Sequence, residues 1–111
     1  MSQLVALLLT LSIEAIVVLA LVTLARWRPP GAGRWFIAAL CVSLVTHPVA
    51  WWAHGVLPLP LWPRALTIEA AVIAVEAALY GRLLPAPALR ALTASAAANG
   101  VSFGLGALLT A

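Results

Sequence analysis

Long apolar segments separated by short, proline-rich connections dominate the chain. The apolar segments cover residues 4–25, 35–53, 65–84 and 88–109. The connections between them are 26–34 (RWRPPGAGR), 54–64 (HGVLPLPLWPR) and the short break at 85–87 (PAP). About 20 largely apolar residues are enough for a helix to cross a bilayer. The pattern therefore predicts an all-α, polytopic integral membrane protein with four transmembrane helices.

Short connections between consecutive helices favour an antiparallel bundle. Hydrophobic residues make up 65% of the chain and charged residues only 8%, whereas soluble domains have about 25% charged residues. The 111 residues leave no room for a soluble domain beside four spans. We expect residues 1–111 to form a single transmembrane domain.

The arginines predict the orientation of this domain. The first and third connections and their flanks hold Arg26, Arg28, Arg34, Arg82 and Arg90, whereas the second holds Arg64 alone. The positive-inside rule then places the first and third connections in the cytoplasm and both termini on the outer, periplasmic side. The net charge of +3 is explained by topology and lipid headgroups, so we expect a lipid bilayer as partner and no nucleic acid.

The first apolar segment is predicted to be a span and not a cleaved signal peptide. It has no basic region before it and no small-residue cleavage site after it. We expect the protein to lie in a bacterial inner (cytoplasmic) membrane. Trp27, Trp35, Trp52 and Trp62 fall at or beyond the ends of the apolar segments, which predicts a belt of aromatic rings at the membrane interface.

All three acidic residues of the chain, Glu14, Glu69 and Glu76, lie inside apolar segments. A carboxylate near the bilayer centre costs on the order of 2 to 3 kcal/mol on insertion scales. An acid at such a position is therefore a functional-site hypothesis, and the three together indicate a buried polar site.

Helical spacing places further polar residues on the faces that carry these acids. Glu69 and Glu76 are two turns apart, and Tyr80 follows one turn later. Asn99 and Ser102 are three residues apart on the fourth segment. Burying such faces against one another, away from lipid, is the most favourable packing.

His47 is a further candidate for the buried polar site, because it precedes a proline inside the second apolar segment. Pro48 lacks a backbone donor, and the carbonyl that it frees is tolerated in a membrane where neighbours or a cavity satisfy it. Depth along the helices predicts a polar path from the outer face to the bilayer centre. The predicted binding residues are Glu14, Glu69, Glu76, His47, Asn99, Ser102 and Tyr80.

The first functional hypothesis is a transporter or channel that binds or translocates a cation or protons. Intramembrane acids are typical of ion pathways and proton relays, and His47 would act as a relay. A chain of this size needs a homo-oligomer, such as a dimer, to build a pathway. No second set of catalytic residues defines a reaction, so the sequence favours a protein that is not an enzyme.

In length, number of spans and the position of Glu14, the chain resembles the small multidrug resistance exporters. In that family the glutamate of the first helix is the shared proton and substrate site, and the resemblance implies this role for Glu14. The aromatic and glycine signature of their third helix is absent from this sequence, and Glu69 and Glu76 lie in that helix instead.

Two alternatives remain open. In the first alternative, the cofactor is a divalent metal ion with ligands from Glu14, His47, Glu69 and Glu76. The distance along the helix between Glu69 and Glu76 is long for two ligands of one ion. In the second, the chain is an accessory subunit of a larger membrane complex. Haem or chlorophyll would then be bound through His47 or His54, beside Trp51 and Trp52.

Overall fold

Four α-helices form the protein, as the sequence predicts. The computed structural model describes residues 2–27 and 29–110, with side chains up to residue 108; Arg28, one of the arginines that predict the orientation, lies outside the described residues. The helices are α1 (Gln3–Ala25), α2 (Ala32–Val56), α3 (Leu61–Leu83) and α4 (Ala88–Thr110). Short connections at 26–31, 57–60 and 84–87 join them.

The helices pack in a four-membered ring. Each helix contacts the next one along the chain, and α1 also contacts α4, which closes the bundle. The connections 26–31 and 84–87 lie at one end, which we call the closed end. The connection 57–60, the start of α1 and the end of α4 lie at the other, which we call the open end.

The second connection is much shorter than the 54–64 predicted from its prolines. Helix α2 continues past His54 to Val56, and α3 begins at Leu61. Pro63 is tolerated there because backbone N–H groups in the first turn of a helix have no partner within the helix. Pro60 lies at the helix boundary, so only residues 57–60 remain as a connection.

The outside of the bundle is apolar, and its inside holds an apolar core at one end and buried polar side chains. Large apolar side chains point outward, among them Ile16 (63% exposed), Val45 (62%) and Leu89 (74%). Within the described residues, α1, α2 and α4 are long and apolar enough to cross a membrane. This is consistent with an integral membrane protein. Helix α3 falls outside that group, and it carries Arg64, Glu69, Glu76 and Arg82.

Aromatic and small side chains fill the closed end. Trp35 is fully buried there, with its ring centroid 5.3 Å from that of Trp27 and 5.5 Å from that of Tyr80. The prediction that Trp35 belongs to an interfacial belt is therefore wrong, because α2 begins three residues before it and turns the ring into the bundle. The apolar core at this end comprises Val18, Val22, Trp35, Ala38, Ala39, Val42, Tyr80, Leu84, Ala91, Ala94 and Ala98.

Replacing Trp35 by alanine is expected to destabilise the bundle by about 3 to 5 kcal/mol, since it removes the largest buried side chain and leaves a cavity. Unfolding of the purified protein in detergent micelles, followed by circular dichroism, measures the change. Trp52→Ala is the matched control because Trp52 is 65% exposed. Equal stability of the two variants would contradict a structural role for the closed end.

Candidate functional site

A cavity of about 540 Å³ occupies the open end of the bundle. All four helices contribute to its lining. Of the residues predicted to form a site, the cavity is lined by Glu14, His47, Glu69, Glu76, Asn99 and Ser102. Tyr80 is the exception, and it lies in the packed core of the closed end.

Glu76 is a polar side chain of the cavity wall that is hydrogen-bonded to two neighbouring helices. It is 1% exposed, and its Oε2 atom is hydrogen-bonded to the hydroxyl of Thr46 on α2. The side-chain amide of Asn99 on α4 donates to its Oε1 atom at 2.7 Å. One carboxyl group on α3 thus ties three helices together.

Asn99 and Ser95 extend this network along α4. The Asn99 amide also donates to the backbone oxygen of Ser95 at 2.9 Å. The Ser95 hydroxyl in turn donates to the backbone oxygen of Ile73 on α3 at 2.7 Å. Both hydrogens of the Asn99 amide are therefore used within the protein.

The Thr46 hydroxyl lies between two acceptor oxygens, and either protonation state of Glu76 can pair with it. The Thr46 hydroxyl oxygen lies 3.1 Å from the backbone oxygen of Val42 and is also bonded to Glu76. Its single hydrogen cannot serve both oxygens. When Thr46 donates to Val42, the hydrogen between Thr46 and Glu76 has to come from Glu76 as a carboxylic acid. When Thr46 donates to Glu76 instead, a carboxylate accepts the hydrogen bond.

Glu14 makes a separate link between α1 and α2. The Ser43 hydroxyl donates to its Oε1 atom at 2.7 Å, and both side chains are buried. Among the described residues, no donor is hydrogen-bonded to the other oxygen of Glu14. Glu14 therefore keeps one acceptor for a group that enters the cavity.

Glu69 and His47 also line the cavity, and each has polar atoms that form no hydrogen bond within the described residues. Glu69 is half-buried, and within the described part of the chain its carboxyl group accepts no hydrogen bond. The Nε2 atom of His47 is buried and has no hydrogen-bond partner among the described residues. The His47 ring lies beside Trp51, with 6.1 Å between ring centroids.

Aromatic side chains surround the mouth of the cavity. Trp51 and Trp62 line it together with Phe103, and the rings of Trp62 and Phe103 meet edge to face at 6.4 Å. His54 lines the mouth as well; it lies in the last turn of α2 and not in a loop, because α2 continues to Val56. Cations are attracted to the faces of such rings.

Tyr80, which was predicted to be a binding residue, lies outside the cavity. Its ring is completely buried against Trp35, one helical turn below Glu76. Neither the Tyr80 hydroxyl nor the Trp35 Nε1 atom has a partner among the described residues. The cavity therefore opens at one end of the bundle and ends near the bundle centre.

The acids and the histidine do not gather into a metal site. Within the described residues, no group of three or more His, Cys, Asp or Glu side chains has a geometry that would hold a metal ion. Glu14 and Glu76 are instead held by hydroxyl and amide donors from neighbouring helices.

The main residues that the sequence analysis missed are hydroxyl donors. Ser43 and Thr46 are hydrogen-bonded to the two buried acids, and the Ser95 hydroxyl donates to the backbone oxygen of Ile73. A signal for the first two was present: they are three residues apart on one face of a largely apolar helix, and such hydroxyls commonly bond across helices in membranes.

Comparison with known proteins finds no matching family model, no matching curated protein and no matching solved structure.

Replacing Glu76 by glutamine is expected to leave stability almost unchanged, because an amide can still accept from Asn99 and donate to Thr46. Glu76→Leu should cost about 1 to 3 kcal/mol for each buried polar group that it leaves unsatisfied. Denaturant unfolding in micelles compares the two variants. Val75→Leu is the control, since Val75 is 52% exposed. A leucine variant as stable as the glutamine variant would show that the network does not hold the bundle together.

Proposed function

We propose that this chain is an integral membrane protein whose four helices all span the bilayer and whose cavity binds a cation in exchange for protons. The observation that carries the proposal is the position of the three carboxyl groups. Glu14, Glu69 and Glu76 all line one cavity that is open at one end of the bundle and closed at the other. Acids inside a membrane are a frequent mark of ion and proton pathways.

Helix α3 crosses the membrane with the others in this proposal. Its 23 residues match the length of α1 and α4. Glu76 is buried by the neighbouring helices, and Glu69 faces the cavity, so neither acid needs to meet lipid. Arg64 and Arg82 lie near the two ends of the helix, where long basic side chains reach the interface.

The cavity opens to the periplasmic side in this orientation. Arg26, Arg34, Arg82 and Arg90 lie at or near the closed end of the bundle, and this end is cytoplasmic by the positive-inside rule. Translocation requires the Trp35 and Tyr80 layer below the cavity to open. Assembly of two copies is one way to build such a pathway in a chain of this size.

Reporter fusions test the orientation. Alkaline phosphatase, which needs oxidising conditions for its disulfides, should be active at the C-terminus, whereas a fluorescent protein that matures only in the cytoplasm should be dark there. The same two reporters inserted after Ala86, in the connection 84–87, are the control and should give the reverse pattern. A fluorescent C-terminal fusion would place the cavity mouth in the cytoplasm.

Proton release on cation binding tests the function. Purified protein in weakly buffered micelles is mixed with sodium, magnesium or organic ammonium salts, and a pH-sensitive dye records the protons displaced from the carboxyl groups. The signal should fall strongly in Glu14→Gln and in Glu69→Gln, because a neutral amide has no acidic proton to release when a cation binds. Ser12→Ala is the matched control, since Ser12 is exposed on α1 two residues from Glu14 and bonds only within its own helix. No release with any cation, or equal release from all variants, would refute the proposal.

A further inference from the structure

The cavity wall offers acceptors to a ligand and has few free donors. The donor hydrogens of Ser43, Thr46 and Asn99 are all directed at protein oxygens. Within the described chain, the unpaired acceptors are one oxygen of Glu14 and the whole carboxyl group of Glu69, beside the buried Nε2 atom of His47. The hydroxyls of Thr10 and Ser102 also line the cavity and can donate or accept. No arginine of the described residues lines the cavity. A ligand that pairs with the two acids brings N–H or O–H donors and positive charge.

Two of the three acids keep acceptor atoms that the described residues leave free. Thr46 and Asn99 occupy both oxygens of Glu76, whereas Ser43 occupies only one oxygen of Glu14. Glu14 and Glu69 are therefore the acids left to meet a positive charge. Both face the same cavity from different helices.

The size and the apolar walls of the cavity favour an organic molecule over a bare ion. A volume of about 540 Å³ is within the range of about 300 to 1,000 Å³ that holds small organic molecules. Ala65, Ile68 and Val72 of α3 form an apolar wall, and Trp62 and Phe103 cover the mouth. An inorganic ion would leave these apolar surfaces unused.

We propose that the cavity binds a primary organic amine in its ammonium form. This inference rests on the proposed cation-binding function. The ammonium group carries three N–H donors and no acceptor, which complements Glu14 and Glu69. The apolar body of the amine lies between the α3 wall and the aromatic mouth. Quaternary ammonium ions have the charge but no N–H donor, so they leave these acceptors unsatisfied.

Isothermal titration calorimetry on the full chain in lipid nanodiscs tests this inference with three probes of matched shape. They are 2-phenylethylamine, its N,N,N-trimethyl analogue and 2-phenylethanol, each titrated also into empty nanodiscs to subtract partitioning into lipid. The primary amine should bind at least about tenfold more tightly than the trimethyl analogue, because hydrogen bonds to charged groups contribute that much. The neutral alcohol should bind more weakly still.

Two isosteric variants locate the ammonium group. Glu69→Gln and Glu14→Gln should each weaken binding of the primary amine by about tenfold or more, with little effect on the alcohol. Ser12→Ala should bind like the unaltered chain. Circular dichroism confirms that each variant is folded before it is titrated, and the amides keep the shape of the carboxyl groups.

Other outcomes overturn the inference in distinguishable ways. Equal affinity for the primary amine and its trimethyl analogue shows that charge alone is recognised. Absence of amine binding, while inorganic cations still displace protons in a Glu69-dependent manner, refutes the amine and leaves the cation-binding function standing. Absence of both amine binding and proton release refutes the two proposals together.

Discussion

The buried carboxyl group of Glu76 is the constraint on which the rest of the bundle depends. Glu76 lies on α3, accepts a hydrogen bond from Asn99 on α4 and is hydrogen-bonded to Thr46 on α2. Glu76 is 1% exposed, and a buried polar group that loses its protein partner costs about 1 to 3 kcal/mol. Glu76 therefore fixes how three helices are rotated about their axes, and Ser43 does the same for α1 through Glu14.

Side-chain size explains why one end of the bundle is filled and the other is hollow. At the closed end, Trp35 and Tyr80 occupy the space between the helices, and the small residues Ala91 and Ala94 of α4 let them fit. At the open end, the lining positions include Ala50, Ala65 and Ala107, which cannot fill a gap of the same width. The Trp51 and Trp62 rings lie near the edge of this space and form its mouth.

The three acids play different parts although their residue type is the same. Both oxygens of Glu76 are occupied by protein groups, one oxygen of Glu14 is occupied, and Glu69 is without a protein donor among the described residues. Of these acids, Glu69 lies two helical turns nearer the open end of α3 than Glu76. In the function proposed above, Glu76 holds the helices together, whereas Glu14 and Glu69 keep free acceptors for a ligand.

The sequence by itself determined the four helices, the apolar exterior and the placement of acids in the interior. These features follow from segment length and from the period of the helix, which are local properties of the chain. Glu14, Glu69, Glu76, His47, Asn99 and Ser102 were recognisable for the same reason, since each is a polar residue in an apolar background.

Only the tertiary structure decided which of these residues share the cavity and which groups satisfy them. Tyr80 has the helical spacing of Glu76 but lies below the cavity floor, because Trp35 of α2 packs against it there. Ser43 and Thr46 became partners of the acids through the rotation of α2 against α1 and α3. The residues of these two pairs are 29 and 30 positions apart in the chain. No local pattern encodes the relative rotation of two helices, which depends on how all four pack together.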